Sequence, residues 1–213
     1  MSPLALLFGA GGLLLGLFAD RLATRWPEHD DEHPTGRRAD WRTVVCAVVG
    51  AAALGLVPIR FAGDPLAIVV FGAWFAALVV GLATDLDQRI LPNVVTLPAI
   101  PVGIVYAALG LNPLVGSELV PAVAAAVLIP LALYLPSIPF GTGAFGLGDV
   151  KLLVGVGLLA GGERAFSGVV FGLLLAGVVL TVLLVTRRIG RRSFVPFGPF
   201  LILGAIWAIF LEL

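Results

Sequence analysis

Two carboxylates stand at the edges of long apolar runs. Asp85 closes one, in Gly81-Leu82-Ala83-Thr84-Asp85-Leu86-Asp87, and Asp149 opens another, in Gly146-Leu147-Gly148-Asp149-Val150-Lys151. An ionised carboxylate at a bilayer boundary loses part of its hydration, so acids are kept there where they pair, bind or catalyse. Two acids brought together can hydrolyse a peptide bond. One, ionised, takes a proton from water; the other, protonated, donates to the carbonyl oxygen. Like charges held close cannot both ionise, so proximity splits the two proton affinities and the pair titrates as a unit. Desolvation at the boundary favours the neutral acid and helps keep one proton in place.

The residues around each acid fit such a pair. Gly146 and Gly148 allow a tight turn and close backbone approach to a substrate strand. Asp149 follows that turn at the start of a helix, where the macrodipole favours its anion. The other segment continues Asp85-Leu86-Asp87-Gln88-Arg89-Ile90-Leu91-Pro92-Asn93. Pro92 suits the first turn of a new helix, which makes the residues before it a short connection. Acids two residues apart do not share a helical face, so only one of Asp85 and Asp87 meets Asp149. The other holds Arg89 or caps a helix, and spacing leaves open which is which. Lys151 is read as an interfacial anchor or as a partner of Asp149 or Asp87. The plain alternative for any single acid here is an interfacial helix cap.

The elements that carry these residues are membrane helices. Of the 213 residues 60% are hydrophobic and 12% charged, about half the charged fraction of a soluble domain. Apolar runs near the length needed to cross hydrocarbon, about 20 residues, occur roughly at 3–20, 42–59, 65–84, 91–111, 119–137, 149–162, 165–186 and 195–212. The sixth is short and Gly-rich. The expected fold class is all-α: a polytopic bundle of about eight transmembrane helices, forming one membrane-embedded domain over 1–213 with a polar loop at about 20–41.

Placing the N-terminus outside puts every basic residue except Arg60 and Arg164 on the cytoplasmic side, as the positive-inside rule requires. Both termini then face outward, and Asp85 and Asp149 fall at the cytoplasmic face of the plasma membrane. The first run lacks a basic n-region and a small-residue cleavage site, so it is expected to remain as a helix. Formal net charge is zero, which gives no case for a nucleic-acid partner; the lipid bilayer is the expected surroundings. Cys46 is the single cysteine, so an internal disulfide or Cys-ligated metal site is excluded. In Glu28-His29-Asp30-Asp31-Glu32-His33 the histidine spacing suits a divalent metal, but no apolar periodicity holds the two together. A solvated loop is the expectation, with no metal and no cofactor.

Three segments together resemble the type IV prepilin peptidase family, intramembrane aspartyl proteases of the Gly-x-Gly-Asp class. Asp85 to Pro98, with Leu91-Pro92-Asn93 inside it, resembles the family's first catalytic segment. Gly146-Leu147-Gly148-Asp149-Val150-Lys151-Leu152-Leu153 is similar to the second. Phe194-Val195-Pro196-Phe197-Gly198-Pro199-Phe200 looks like the start of the family's last helix. The resemblance implies Asp85 and Asp149 as the catalytic pair and Asp87 as a supporting acid. It also implies a membrane-anchored prepilin or pseudopilin precursor as substrate, cut between a short basic cytoplasmic leader and an apolar helix. Gly16 to Pro27 resembles the helix leading into the family's larger first loop, which in many members carries two Cys-x-x-Cys pairs and accompanies N-methylation by S-adenosylmethionine. Here the loop is short and lacks cysteine, so cleavage without zinc and without methylation is the expectation.

Two other classes compete. A proton-coupled transporter with an acidic relay would place carboxylates near mid-membrane, in discontinuous helices; here the acids cluster at one face. A non-catalytic scaffold for pilus or secretion assembly is the other alternative.

Overall fold

The computed structural model describes residues 2–29, 35–140, 145–190 and 195–211. Among them the regular structure is helical: α1 (Pro3–Ala23), α2 (Trp41–Arg60), α3 (Pro65–Gln88), α4 (Asn93–Thr96), α5 (Ala99–Ala108), α6 (Leu119–Ser137), α7 (Leu147–Ala160), α8 (Gly162–Val185) and α9 (Gly198–Phe210), with one 3₁₀ turn at Ile138–Phe140. α1, α2, α3, α6 and α8 are long and apolar enough to cross a membrane.

The starts of the first three helices follow from local chemistry. Ser2 Oγ accepts from the Ala5 N–H, and Asp64 Oδ1 from the Ala67 N–H; a proline follows each cap. These contacts satisfy donors that have no partner inside the helix, and proline at the first position has no donor to lose. At α2, Asp40 Oδ1 accepts from the Arg42 N–H at 2.8 Å while Thr43 Oγ1 accepts from the Asp40 N–H at 3.2 Å, a reciprocal capping box.

Two expected boundaries move. The run expected to end at residue 84 continues as helix through Gln88. Asp85 to Gln88 therefore form the last turn of α3, where the sequence suggested a connection. The helix stops at Arg89, which takes a left-handed conformation (φ 58°) and donates its N–H to the Asp85 carbonyl at 3.0 Å; a residue with a side chain is strained there. The run expected at 91–111 is interrupted at Leu97-Pro98, giving α4 and α5. Pro98 has no N–H to donate, which removes a helical hydrogen bond at that point.

The chain divides into two compact units, Met1–Ala99 and Ile100–Leu213. In the first, α1 and α2 meet backbone to backbone. A methyl group at Gly12 would sit 2.1 Å from the Gly50 carbonyl oxygen, and one at Gly16 the same distance from that of Cys46. Small residues that let helix backbones touch are the usual adhesive where lipid gives no hydrophobic drive between helices. α3 packs on both, its start joined to the end of α2 by the stacked rings of Phe61 and Phe71, 4.5 Å apart. In the second unit α8 and α9 pair the same way: a methyl at Gly204 would lie 2.2 Å from the Gly168 oxygen. α7 runs deepest there, with Leu152, Leu153, Val156, Leu158 and Leu159 all buried.

Large apolar side chains also line the outside. Leu7, Leu14 and Phe18 on α1 are each more than 60% exposed and recur at helical spacing on one side. Such a stripe is costly in water and at ease in lipid.

Candidate active site

The first candidate segment is the last turn of α3. Thr84, Asp85, Asp87 and Gln88 are all buried, the two aspartates at 5% and 7% exposure. A buried carboxylate needs partners, and those of Asp87 come from far back in the chain. Arg37 Nε donates to Asp87 Oδ1 at 2.6 Å, and Arg42 Nη1 donates to the same oxygen at 3.0 Å. His29 Nε2 lies 3.6 Å from Oδ2.

The same guanidinium continues the network. Arg37 Nη2 donates to Asp20 Oδ1 and Nη1 to Asp40 Oδ1, both at 2.6 Å. Asp20, 1% exposed on α1, accepts further from Thr43 Oγ1 at 2.7 Å and pairs with Arg21. Burial works against the Arg37 charge, but hydrogen bonds and charge attraction to Asp87 and Asp20 outweigh it, holding the guanidinium above its ordinary range. Gln88 Nε2 donates to the Ala23 carbonyl at 2.7 Å and lies 3.0 Å from His29 Nε2.

The second segment opens α7. Gly146 is the N-cap, in extended conformation (φ −80°), and Asp149 stands at the third helical position. Asp149 Oδ2 accepts from the Gly146 N–H at 3.2 Å, so the carboxylate closes the turn that precedes it, near the positive end of the helix dipole. Neither Gly146 nor Gly148 has positive φ. The turn thus needs no left-handed backbone, and the bareness of the exposed Gly146 serves close approach instead. Lys151 is half-buried just past the first turn of α7. Phe145 is buried just before Gly146, its ring 6.1 Å from that of Phe197 in an edge-on contact. Phe197 caps α9. The Gly-Leu-Gly-Asp segment and the Pro-Phe-Gly-Pro segment, 45 or more residues apart in the chain, are therefore neighbours. Phe194 lies outside the described residues.

The structure thus sets Asp85 and Asp87 in the first unit and Gly146, Gly148, Asp149 and Lys151 in the second. What the sequence reading missed is the Arg37 network. Its arginines had counted only towards membrane orientation, yet Asp20 carries the same signal that marks Asp85 and Asp149: an acid at the end of an apolar run. Of the candidate histidine pair, His29 faces Asp87 and Gln88, while His33 lies outside the described residues. Among the described residues no three His, Cys, Asp or Glu side chains are grouped to hold a metal, and Cys46 is a buried thiol.

An all-helical, multi-pass membrane protein with acids at the ends of its spans is the class that fold and site define. Residues 69–185 match the model of the type IV leader peptidase family, a stretch that contains every candidate residue of both segments. The chain belongs to that family. It is 30% identical over 180 residues to a prepilin leader peptidase/N-methyltransferase of Burkholderia pseudomallei strain 1026b, and equally to that of strain K96243. The match covers 83% of this chain and 56% of each relative, so the chain spans little more than half their length. No solved structure matches it.

Proposed function

We propose that this chain is an aspartic endopeptidase that removes the short leader from a type IV prepilin or pseudopilin precursor, acting as one membrane-embedded domain with its site at the cytoplasmic face. The observation that carries the reading is that Asp85 and Asp149 are both buried carboxylates in terminal helical turns, inside the stretch that matches the family.

In this reading Asp85 and Asp149 share one proton. The ionised member takes a proton from water, whose oxygen attacks the scissile carbonyl carbon while the protonated member donates to the carbonyl oxygen. The tetrahedral gem-diol then collapses: one hydroxyl returns its proton to the aspartate that donated, the C–N bond breaks, and the proton taken from water passes to the leaving nitrogen, which restores the singly protonated pair. The products are a free leader carboxylate and a new N-terminal amine. Gly146, exposed and extended, and Gly148 leave room for the leader strand beside Asp149. Asp87, hydrogen-bonded to Arg37 and Arg42, supports the pair and is not a member of it. Lys151 adds positive charge near Asp149. No metal enters the hydrolysis. The precursor's apolar helix would pack against spans through small residues.

Co-expression with a prepilin precursor tests this. Wild-type enzyme should give the mobility shift of leader removal. Asp85→Asn and Asp149→Asn should each insert in the membrane and leave the precursor uncut, because an amide can neither share the proton nor take one from water. Substantial cleavage by either variant would overturn the pair.

A further inference from the structure

The described part of the segment joining α1 to α2 meets the end of α3 through His29 and, most extensively, through the planar side chain of Arg37. The three nitrogens of Arg37 reach three carboxylates on three different elements: Asp20 on α1, Asp40 at the cap of α2 and Asp87 on α3, each at 2.6 Å. Each contact is charge-assisted, and a guanidinium fixes their directions as an ammonium cannot. Two of the three acids are buried, so breaking the joint would strand charge away from water, a far larger loss than that of an exposed pair. Arg42 supports the Asp87 corner at 3.0 Å and the Asp40 corner more loosely, its Nε 4.0 Å from Asp40 Oδ2, but it does not join Asp20 to either. Arg38, next in the chain, is exposed.

Asp87 shares the last turn of α3 with Asp85. That turn closes on a strained left-handed Arg89, so its geometry depends on side chains that hold it from outside. We propose that Arg37 is a positioning residue: by joining Asp20, Asp40 and Asp87 it fixes the last turn of α3, and through it the direction of the Asp85 carboxyl during turnover. This rests on the leader-peptidase reading above. Arg37 touches no reacting atom; it acts through Asp87. Misplacing a reacting group by about 1 Å can lower the rate by about a hundredfold, and Arg37, which touches no reacting atom, is set to act on turnover rather than on binding.

The test is steady-state cleavage of a purified precursor by full-length enzyme in detergent, normalised to folded protein by monodispersity and thermal transition. Arg37→Met should lower kcat about ten- to a hundredfold with KM within about twofold of wild type. Arg37→Lys, which keeps the charge but cannot reach three acids at once, should recover only part of kcat. Arg38→Met should keep wild-type kcat. The double variant Arg37→Met with Asp87→Asn should be no worse than Arg37→Met alone, since both changes act on one joint. A second readout needs no activity: tryptic cleavage after the exposed Arg38 should be faster in Arg37→Met than in wild type. Wild-type kcat in folded Arg37→Met, an equal loss in Arg38→Met, or unchanged tryptic cleavage would overturn the inference while an active wild type leaves the peptidase reading standing. Inactivity of wild-type enzyme on precursors would overturn that reading, and this inference with it.

Discussion

A rotation of about 200° around α3 leads from Asp85 to Asp87, and the Asp87 side chain is turned onto Arg37 and Arg42. Its carboxylate is already held by two guanidinium groups, which makes it a good tether. Asp87→Asn keeps an oxygen for both arginines and loses only the charge-assisted part of each contact. Cleavage should persist at about a fifth of the wild-type rate, the effect of about 1 kcal/mol when a charged hydrogen bond becomes a neutral one. Precursor processing in a time course checks this. A dead Asp87→Asn beside an active Asp85→Asn would exchange the roles assigned to the two acids. That the two cannot share a face was legible from their spacing alone. The identity of the Asp87 partners was not, because they lie 45 and 50 residues upstream, and nothing local to the motif points to them.

Charge and small residues mark the ends and the contacts of these helices differently. Reading an apolar run up to its first charge ended the third span at residue 84, one residue short of Asp85. The helix itself runs to Gln88, because buried acids with partners do not stop a backbone ladder and the left-handed Arg89 does. The runs that became α1, α2, α6 and α8 were legible because hydrocarbon demands length and apolarity and little else, whereas α7 and α9 are shorter than a crossing needs. The break at Pro98 is a backbone effect that hydropathy does not register.

Helix pairing was likewise hidden in composition: 27 glycines do not reveal which of them touch. Gly11 and Gly12 make the contrast testable. A methyl at Gly12 would meet the Gly50 carbonyl oxygen at 2.1 Å, whereas Gly11 has nothing within 4 Å. Gly12→Ala should force α1 and α2 apart and cost about 1–3 kcal/mol, the usual range for overpacking. Gly11→Ala should be neutral. Thermal unfolding in detergent separates the two, and equal transitions would mean that α1 and α2 do not meet through Gly12.

For the whole molecule, an even number of crossings would return the chain to the side on which it began, and the positive-inside rule applied to the arginines predicts that side to be the outside. Reporter fusions at either terminus should read as outside the cytoplasm. A cytoplasmic C-terminus would overturn the expected eight-span topology and put the pairing of Asp85 with Asp149 in question. The fate of the new N-terminus is also decided at this scale. The relatives from Burkholderia pseudomallei are named for two activities, and this chain aligns with 56% of their length. The segment between α1 and α2 holds no cysteine. Its described part is tied down by arginine and carboxylate, with Arg37 joining Asp20, Asp40 and Asp87. A cross-link made of ion pairs needs no thiolate and is indifferent to chelators, so cleavage should continue undiminished in EDTA. The processed precursor should carry an unmodified N-terminal amine. Mass spectrometry of the mature N-terminus, from cells in which this protein is the sole leader peptidase, reads the difference of one methyl group. A methylated product that depends on S-adenosylmethionine and on this chain would assign the second activity to these 213 residues and would require a methyl-donor site that the Arg37 network does not supply.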